Sequence, residues 1–359
     1  MPSIRSFRGV PTPRRLRVAV TASLVAGSLV LSVEAITAPI SARPIGGASS
    51  LLSPTTTTAA APALATVAST SATSVVAFDS NRAGSEFEIF TMAPDGSGVR
   101  QLTSDARYDS WWPQLSPDRT KILYYRTPVG GHDQSFTKAE LWVMNVDGSA
   151  KTVLRPAGTN GWEVQAQAQW SPSGSQLVMT GGANINPQVF VTDSLGRNPR
   201  QVTNRGGVNV DPSWSPDGTT IAFVGCPVSA CYPTDYEIYK IPAAGGTAVR
   251  LTNDKLRDQD PQFSPDGTRV AWLTQTAQTA PAGAWNIRVA AVDGSGAQWV
   301  TNDSAVNSKP NWSRDGALIW FHRLDTAIWP GFNIYNIRPD GTGLTLVARG
   351  PGSNEYPSV

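Results

Sequence analysis

The groups in this chain that could do chemistry are few: Asp211, Asp258 and Asp260, one lysine at Lys309, two histidines, His132 and His322, and two cysteines, Cys226 and Cys231. A close acid pair such as Asp258 and Asp260 could serve a glycosidase, one acid protonating the leaving oxygen while the other attacks or activates water. Such pairs are too common to carry that reading alone. No Gly-x-Ser-x-Gly elbow and no His-Glu-x-x-His motif occurs. Two histidines, both read as lying in variable loops, leave little for a general base, and a zinc site wants four convergent ligands. The expectation is a non-catalytic protein with no cofactor and no metal centre. Cys226 and Cys231 are separated by four residues; in an exported chain such a pair is expected to form a loop-pinning disulfide.

The elements that position these groups follow from self-similarity. EIFTMAPDG from Glu88 recurs as ELWVMNVDG from Glu140, QVFVTDSLG from Gln188, NIRVAAVDG from Asn286 and NIYNIRPDG from Asn333, while the unit from Asp211 reads DPSWSPDGTTIAFVG. A period of roughly 50 residues with several short apolar runs is that of a propeller rather than a solenoid. Each unit parses into four strands. Pro fixes φ in the Ser-Pro-Asp-Gly turn and Gly tolerates positive φ, so the first two strands are joined by a turn with a local cause. The runs of Ile, Val, Phe, Tyr and Trp are strand formers. The fold expected is all-β: a six-bladed β-propeller with four antiparallel strands per blade. The sixth innermost strand is the last thing in the chain, Glu355 to Val359, so the ring is expected to close by its pairing with Val75 to Phe78, removing two sheet edges.

IAFVG from Ile221, EIY from Glu237, RLT from Arg250 and DPxxSPDG from Asp211 resemble the repeat of the TolB-like six-bladed propellers, over roughly residues 75–359. The resemblance implies the fold, and with it a binding rather than a chemical role. The α/β domain that precedes the propeller in TolB has a low-complexity stretch in its place here. Propellers of this kind also occur in peptidases and pectin-fragment lyases, which need a following hydrolase domain or a histidine-rich metal centre.

The N-terminal region reads as an address. Five arginines (Arg5, Arg8, Arg14, Arg15, Arg17) precede an apolar stretch from Val18 to Val33, and Val33-Glu34-Ala35 has signal-peptidase spacing. Residues 1–35 are therefore expected to be a signal peptide. Residues 36–74, rich in Ala, Ser, Thr and Pro, form a disordered linker, and 75–359 the propeller. Of 29 basic and 27 acidic residues, the leader holds five Arg and one Glu; its removal leaves 24 against 26, near neutrality at −2. No basic cluster calls for nucleic acid. The mature protein is expected to be an exported monomer with no stable membrane span, periplasmic, in the cell envelope or extracellular.

Strand alternation then assigns faces. Two residues after the proline position of each inner strand stand Leu115, Trp170, Trp214, Phe263, Trp312 and Val359, all apolar. Their neighbours Gln114, Gln169, Ser213, Gln262, Asn311 and Ser358 are polar and are expected to line a wet central channel. Continuing along the same face, Trp112, Gln167, Asn209, Asp211, Asp258, Asp260, Asn307, Lys309 and Tyr356 are expected to form a partner-binding rim at the channel mouth. The longer connections 127–138, 225–235, 274–284 and 322–331 lie on that face, where binding usually resides. The partner expected is a protein or peptide in the envelope; a glycan, or carbohydrate chemistry, is the alternative. On this reading Asp211 and Asp260 are exposed acids, and neutralising them should weaken a cationic partner without harm to the fold.

Overall fold

A computed structural model of the chain describes residues 20–25, 28–33, 75–133, 135–226, 236–277, 284–324 and 331–359. Within the expected leader, Val20–Val25 and Ser28–Val33 pair as an antiparallel hairpin. Among the described residues no helix is long and apolar enough to cross a membrane.

From Val76 onward every unit is a meander. In the fourth, Asn209–Trp214, Thr220–Gly225, Glu237–Pro242 and Val249–Arg250 follow one another from inside to outside. The first turn is held by an aspartate in the second, fourth, fifth and sixth units and by Ser173 in the third. In the second unit Asp118 Oδ1 accepts from the Ser116 hydroxyl (2.6 Å) and the Thr120 amide (3.0 Å). Gly218 closes the equivalent turn at φ 71°, and in the second unit Arg119 takes that left-handed position at φ 59°, where only glycine is free of Cβ strain. Beyond the short outer strands the chain steps to the next unit.

The C-terminal strand Asn354–Ser358 pairs antiparallel with Val76–Ser80, with Glu355 opposite Asp79 and Ser358 opposite Ala77. The two ends of the propeller therefore share one four-stranded sheet. Hydrogen bonding gives four separate four-stranded sheets and one of eight strands, not the six separate sheets expected from the repeats. The eight-stranded sheet holds the fifth and sixth units, joined by one parallel bridge between Trp285 and Val306. That bridge lies near the start of the fifth unit's third strand, Ala284–Ala291, beyond the part paired with its outer strand Gln298–Trp299.

The core lies between successive units. Trp214 and Phe223 of the fourth pack with Val178, Val189 and Val202 of the third, and Val210 and Ile238 pack with Val270 and Trp272 of the fifth. Each such layer removes aromatic and branched side chains from water, at about 25 cal/mol per Å² of apolar surface.

One irregularity recurs in all six inner strands and decides where the polar residues go. Trp112, Gln167, Asp211, Asp260, Lys309 and Tyr356 all have positive φ, from 50° to 58°. At each the register to the second strand slips, as between Trp111 and Gln114 or Val210 and Ser213. These are β-bulges, and five of the six are followed by proline, which has no amide to leave unpaired there. The extra residue reverses the alternation of side chains. Val210 and Trp214, four residues apart, would share a face in a regular strand; here they face opposite neighbours. Trp111 and Leu115 part in the same way.

Candidate functional site

The bulges aim one side chain per unit at the propeller axis, and those side chains meet. Lys309 Nζ lies 3.2 Å from Asp211 Oδ1 and is bonded to Asp260 Oδ1. The same ammonium sits 3.8 Å from the centroid of the Trp112 ring, a cation–π contact. Trp112 stacks on Tyr356 at 4.9 Å, and the Tyr356 hydroxyl donates to Asp133 Oδ2. Gln167 Oε1 accepts from the Asp211 amide (3.0 Å) and the Thr180 hydroxyl (2.6 Å). Residues far apart in sequence thus form one compact group.

That group is buried, unlike the open rim expected from the sequence. Asp211, Asp260, Trp112 and Tyr356 are each no more than 5% exposed. Burial pushes the Asp211 carboxyl up to about 7, with Lys309 opposing and Asp260 adding to the rise. Burial would lower Lys309, but the Asp211 and Asp260 carboxylates outweigh it and hold the ammonium above its ordinary value. Several polar atoms turned to this centre have no hydrogen-bond partner among the described residues: Trp112 Nε1, Gln167 Nε2, Asp211 Oδ2 and Asp133 Oδ1.

Below the group, Gln114, Gln169, Gln262 and Asn311 line a cavity of about 20 Å³ with Trp112, Lys309 and Tyr356. That volume admits a water molecule but no sugar ring. These four amides are half-buried. Ser213 and Ser358 are buried; the Ser358 hydroxyl accepts from the Leu115 amide at 2.9 Å.

Three expected rim residues are not at the mouth. Asn209 Nδ2 donates to Gln188 Oε1 (3.2 Å), Asn307 Nδ2 to the Trp285 carbonyl (2.6 Å), and Asp258 Oδ1 accepts from the Thr274 hydroxyl (2.6 Å). All three are at most 1% exposed and lie between units. The bulge is the reason: it turns the residue two before it away from the axis and toward the preceding unit. Cys226 is fully buried, whereas Cys231 lies outside the described residues, and so does the expected Cys226–Cys231 bond. Beside the rim, Trp111 is fully buried and Tyr108 lies under the Arg126 guanidinium.

The stretch 133–280 matches the family model described as the TolB beta propeller domain. This is a TolB-like propeller protein. A protein TolB homolog from Chlorobium luteolum is 31% identical over 149 residues, covering 42% of this chain and 31% of the relative. The match thus spans about a third of that relative's length. Among solved structures, TolB from Acinetobacter baumannii superposes with a TM-score of 0.63 at 17% identity, over 79% of this chain and 66% of that one. The putative TolB from Agrobacterium tumefaciens gives 0.59 at 17% identity, over 78% and 91%. At that identity the likeness is one of fold.

The TolB-like propeller also holds groups that sequence reasoning passed over. His322 is not in a loop: it lies in the strand Ile319–Leu324 and is 2% exposed. The Tyr356 amide donates to His322 Nδ1 (3.0 Å), which fixes the tautomer with hydrogen on Nε2, facing Glu355 at 4.0 Å. Burial, reinforced by Lys309 and His132, drives its pKa well below the usual value, so the ring is neutral. His132 Nε2 lies 2.9 Å from Asp79 Oδ2, and Asp79 is fully buried. Burial pushes Glu355 up to about 8, the Asp79 and Asp133 charges adding to the rise while His132 opposes it, and Asp133 up to about 6. For His322 the run of strand formers Ile319, Trp320 and Phe321 just before it was a readable signal of a strand. Asp79 and Asp133 carried none.

Proposed function

We propose that this chain is an exported, non-catalytic TolB-like propeller of six blades, the eight-stranded sheet acting as two, that binds a protein or peptide partner at the mouth of its central channel. The leader and linker at residues 1–74 deliver the domain to the periplasm, the cell envelope or the exterior. The axial group carries this reading. Charged, amide and aromatic side chains from different units converge there, and Trp112 Nε1, Gln167 Nε2 and Asp211 Oδ2 are left without partners. Buried polar atoms in folded proteins find partners, so an axis with several unmatched ones is suited to the donors and acceptors of another chain.

The reading is tested with the full chain as bait against envelope extract, followed by affinity measurement on the captured protein. Gln114→Ala with Gln169→Ala alters the half-buried lining without touching the ion pairs and should weaken binding about tenfold or more. Asp95→Ala with Asp147→Ala, in exposed turns between third and outer strands, should leave affinity unchanged. The reverse pattern would place the partner on the opposite face.

A further inference from the structure

The junction between the fourth and fifth units has a chemistry that its counterparts lack. At successive junctions a residue near the start of one unit's third strand approaches the inner strand of the next. At two of them a donor settles the contact: Asn209 bonds Gln188 (3.2 Å), and Asn307 reaches Asn286 (3.5 Å). Between the fourth and fifth units the two residues are Glu237 and Asp258, 1% and 0% exposed. Two ionised carboxylates have only acceptors to offer each other. Asp254 adds a third, and one oxygen from each of the three lies within 4.8 Å of the others.

The surrounding donors do not satisfy this cluster. Thr274 gives its hydroxyl proton to Asp258 Oδ1, and Thr252 gives its own to Glu237 Oε2 (2.6 Å). Asp258 Oδ2 is buried with no hydrogen-bond partner among the described residues. Arg250 holds Glu237 Oε1 and Arg288 holds Asp254 Oδ2 (2.9 Å), so both guanidiniums grip single oxygens and orient the carboxylates. Three acids against two arginines leave one negative charge. A buried acceptor of this kind needs a proton or a cation.

We propose that Glu237, Asp254 and Asp258 form a calcium site that pins the fourth unit to the fifth. The donor set is all oxygen, which selects a hard cation over zinc or copper. Calcium bonds oxygen at about 2.3–2.6 Å, so three of its ligands can all stand within about 5 Å of one another. Three carboxylates converging within 4.8 Å suit calcium, which takes six to eight oxygens in flexible geometry, better than magnesium, which keeps most of its waters and is held by one or two carboxylates. The Asp254 side chain is 37% exposed, which leaves a face for the waters that complete calcium's coordination.

The test uses the full chain after chelator treatment, with equilibrium dialysis of calcium or magnesium and melting temperature as a second readout. Asp258→Asn supplies the donor that Asn209 and Asn307 supply at their junctions, so this variant should fold. Wild type is expected to take up one calcium ion per chain and to melt a few degrees higher with it. In Asp258→Asn the affinity should fall at least tenfold and the melting temperature should no longer respond. Absence of calcium uptake by wild type at millimolar calcium, tighter uptake of magnesium than of calcium, or equal calcium affinity in Asp258→Asn would each overturn the assignment.

Discussion

Replacing Asp211 and Asp260 together by asparagine tests what holds the axis. From the sequence these looked like exposed acids that could be neutralised without harm, but the structure makes them the counterions of Lys309, whose side chain is 13% exposed. Two routes to the magnitude agree. Removing the partners of a buried charge costs about 3–5 kcal/mol. Alternatively Lys309 sheds its proton, which from a pKa near 10.4 costs about 4.6 kcal/mol at pH 7, at about 1.4 per unit. The Trp112 ring retains some of the attraction, so about 3–5 kcal/mol is expected in urea unfolding followed by near-ultraviolet circular dichroism. The sign with pH is also fixed. With the folded pKa of Lys309 depressed in this variant, the unfolded chain binds more protons, so its stability rises from pH 7 toward 10. The charge-free triple variant with Lys309→Met should return to within about 1 kcal/mol of wild type or exceed it. A double variant as stable as wild type, flat over that pH range, would refute the buried ion pairs.

Three further outcomes are expected. Deleting 355–359 strips the inner strand from Val76–Ser80, so the product should aggregate or lose cooperative melting, while deleting 36–70 should leave the melting temperature within a degree or so; a soluble, cooperative C-terminal truncation would contradict ring closure. Glu355 titrates at about 8 in the folded state, against about 4.3 unfolded. Between those values the folded chain holds a proton that the unfolded chain has lost, so stability falls as pH rises from about 5 to 8 by up to about 1.4 kcal/mol per unit. Glu355→Gln should flatten that slope, and an unchanged slope would show that the proton resides elsewhere. Mature protein from the producing cell should begin near Ile36 and show no thiol reactive without reduction; a full-length mass with alkylatable cysteines would count against export.

Much of the architecture was legible because it depends on neighbours in sequence. The strand-forming runs, the aspartate that closes each Ser-Pro-Asp-Gly turn, and the unfinished unit at Glu355 to Val359 each act over a few residues, and the structure forms them where the repeats put them. The row Trp112, Gln167, Asp211, Asp260, Lys309, Tyr356 was also found, by its constant place before the proline position. Only the tertiary structure decided where the next row points. Alternation assumes an unbroken two-residue period, and a positive φ at each of those six residues breaks it, sending Asn209, Asp258 and Asn307 into the unit junctions. Proline inside an inner strand was the available hint, since proline in a paired strand marks a bulge. No local signal could have brought Lys309 to Asp211 and Asp260, or Asp133 to Tyr356, across separations of 49 to 223 residues. Ring geometry sets those distances, and with them the burial that turns ordinary carboxylates into proton-holding ones.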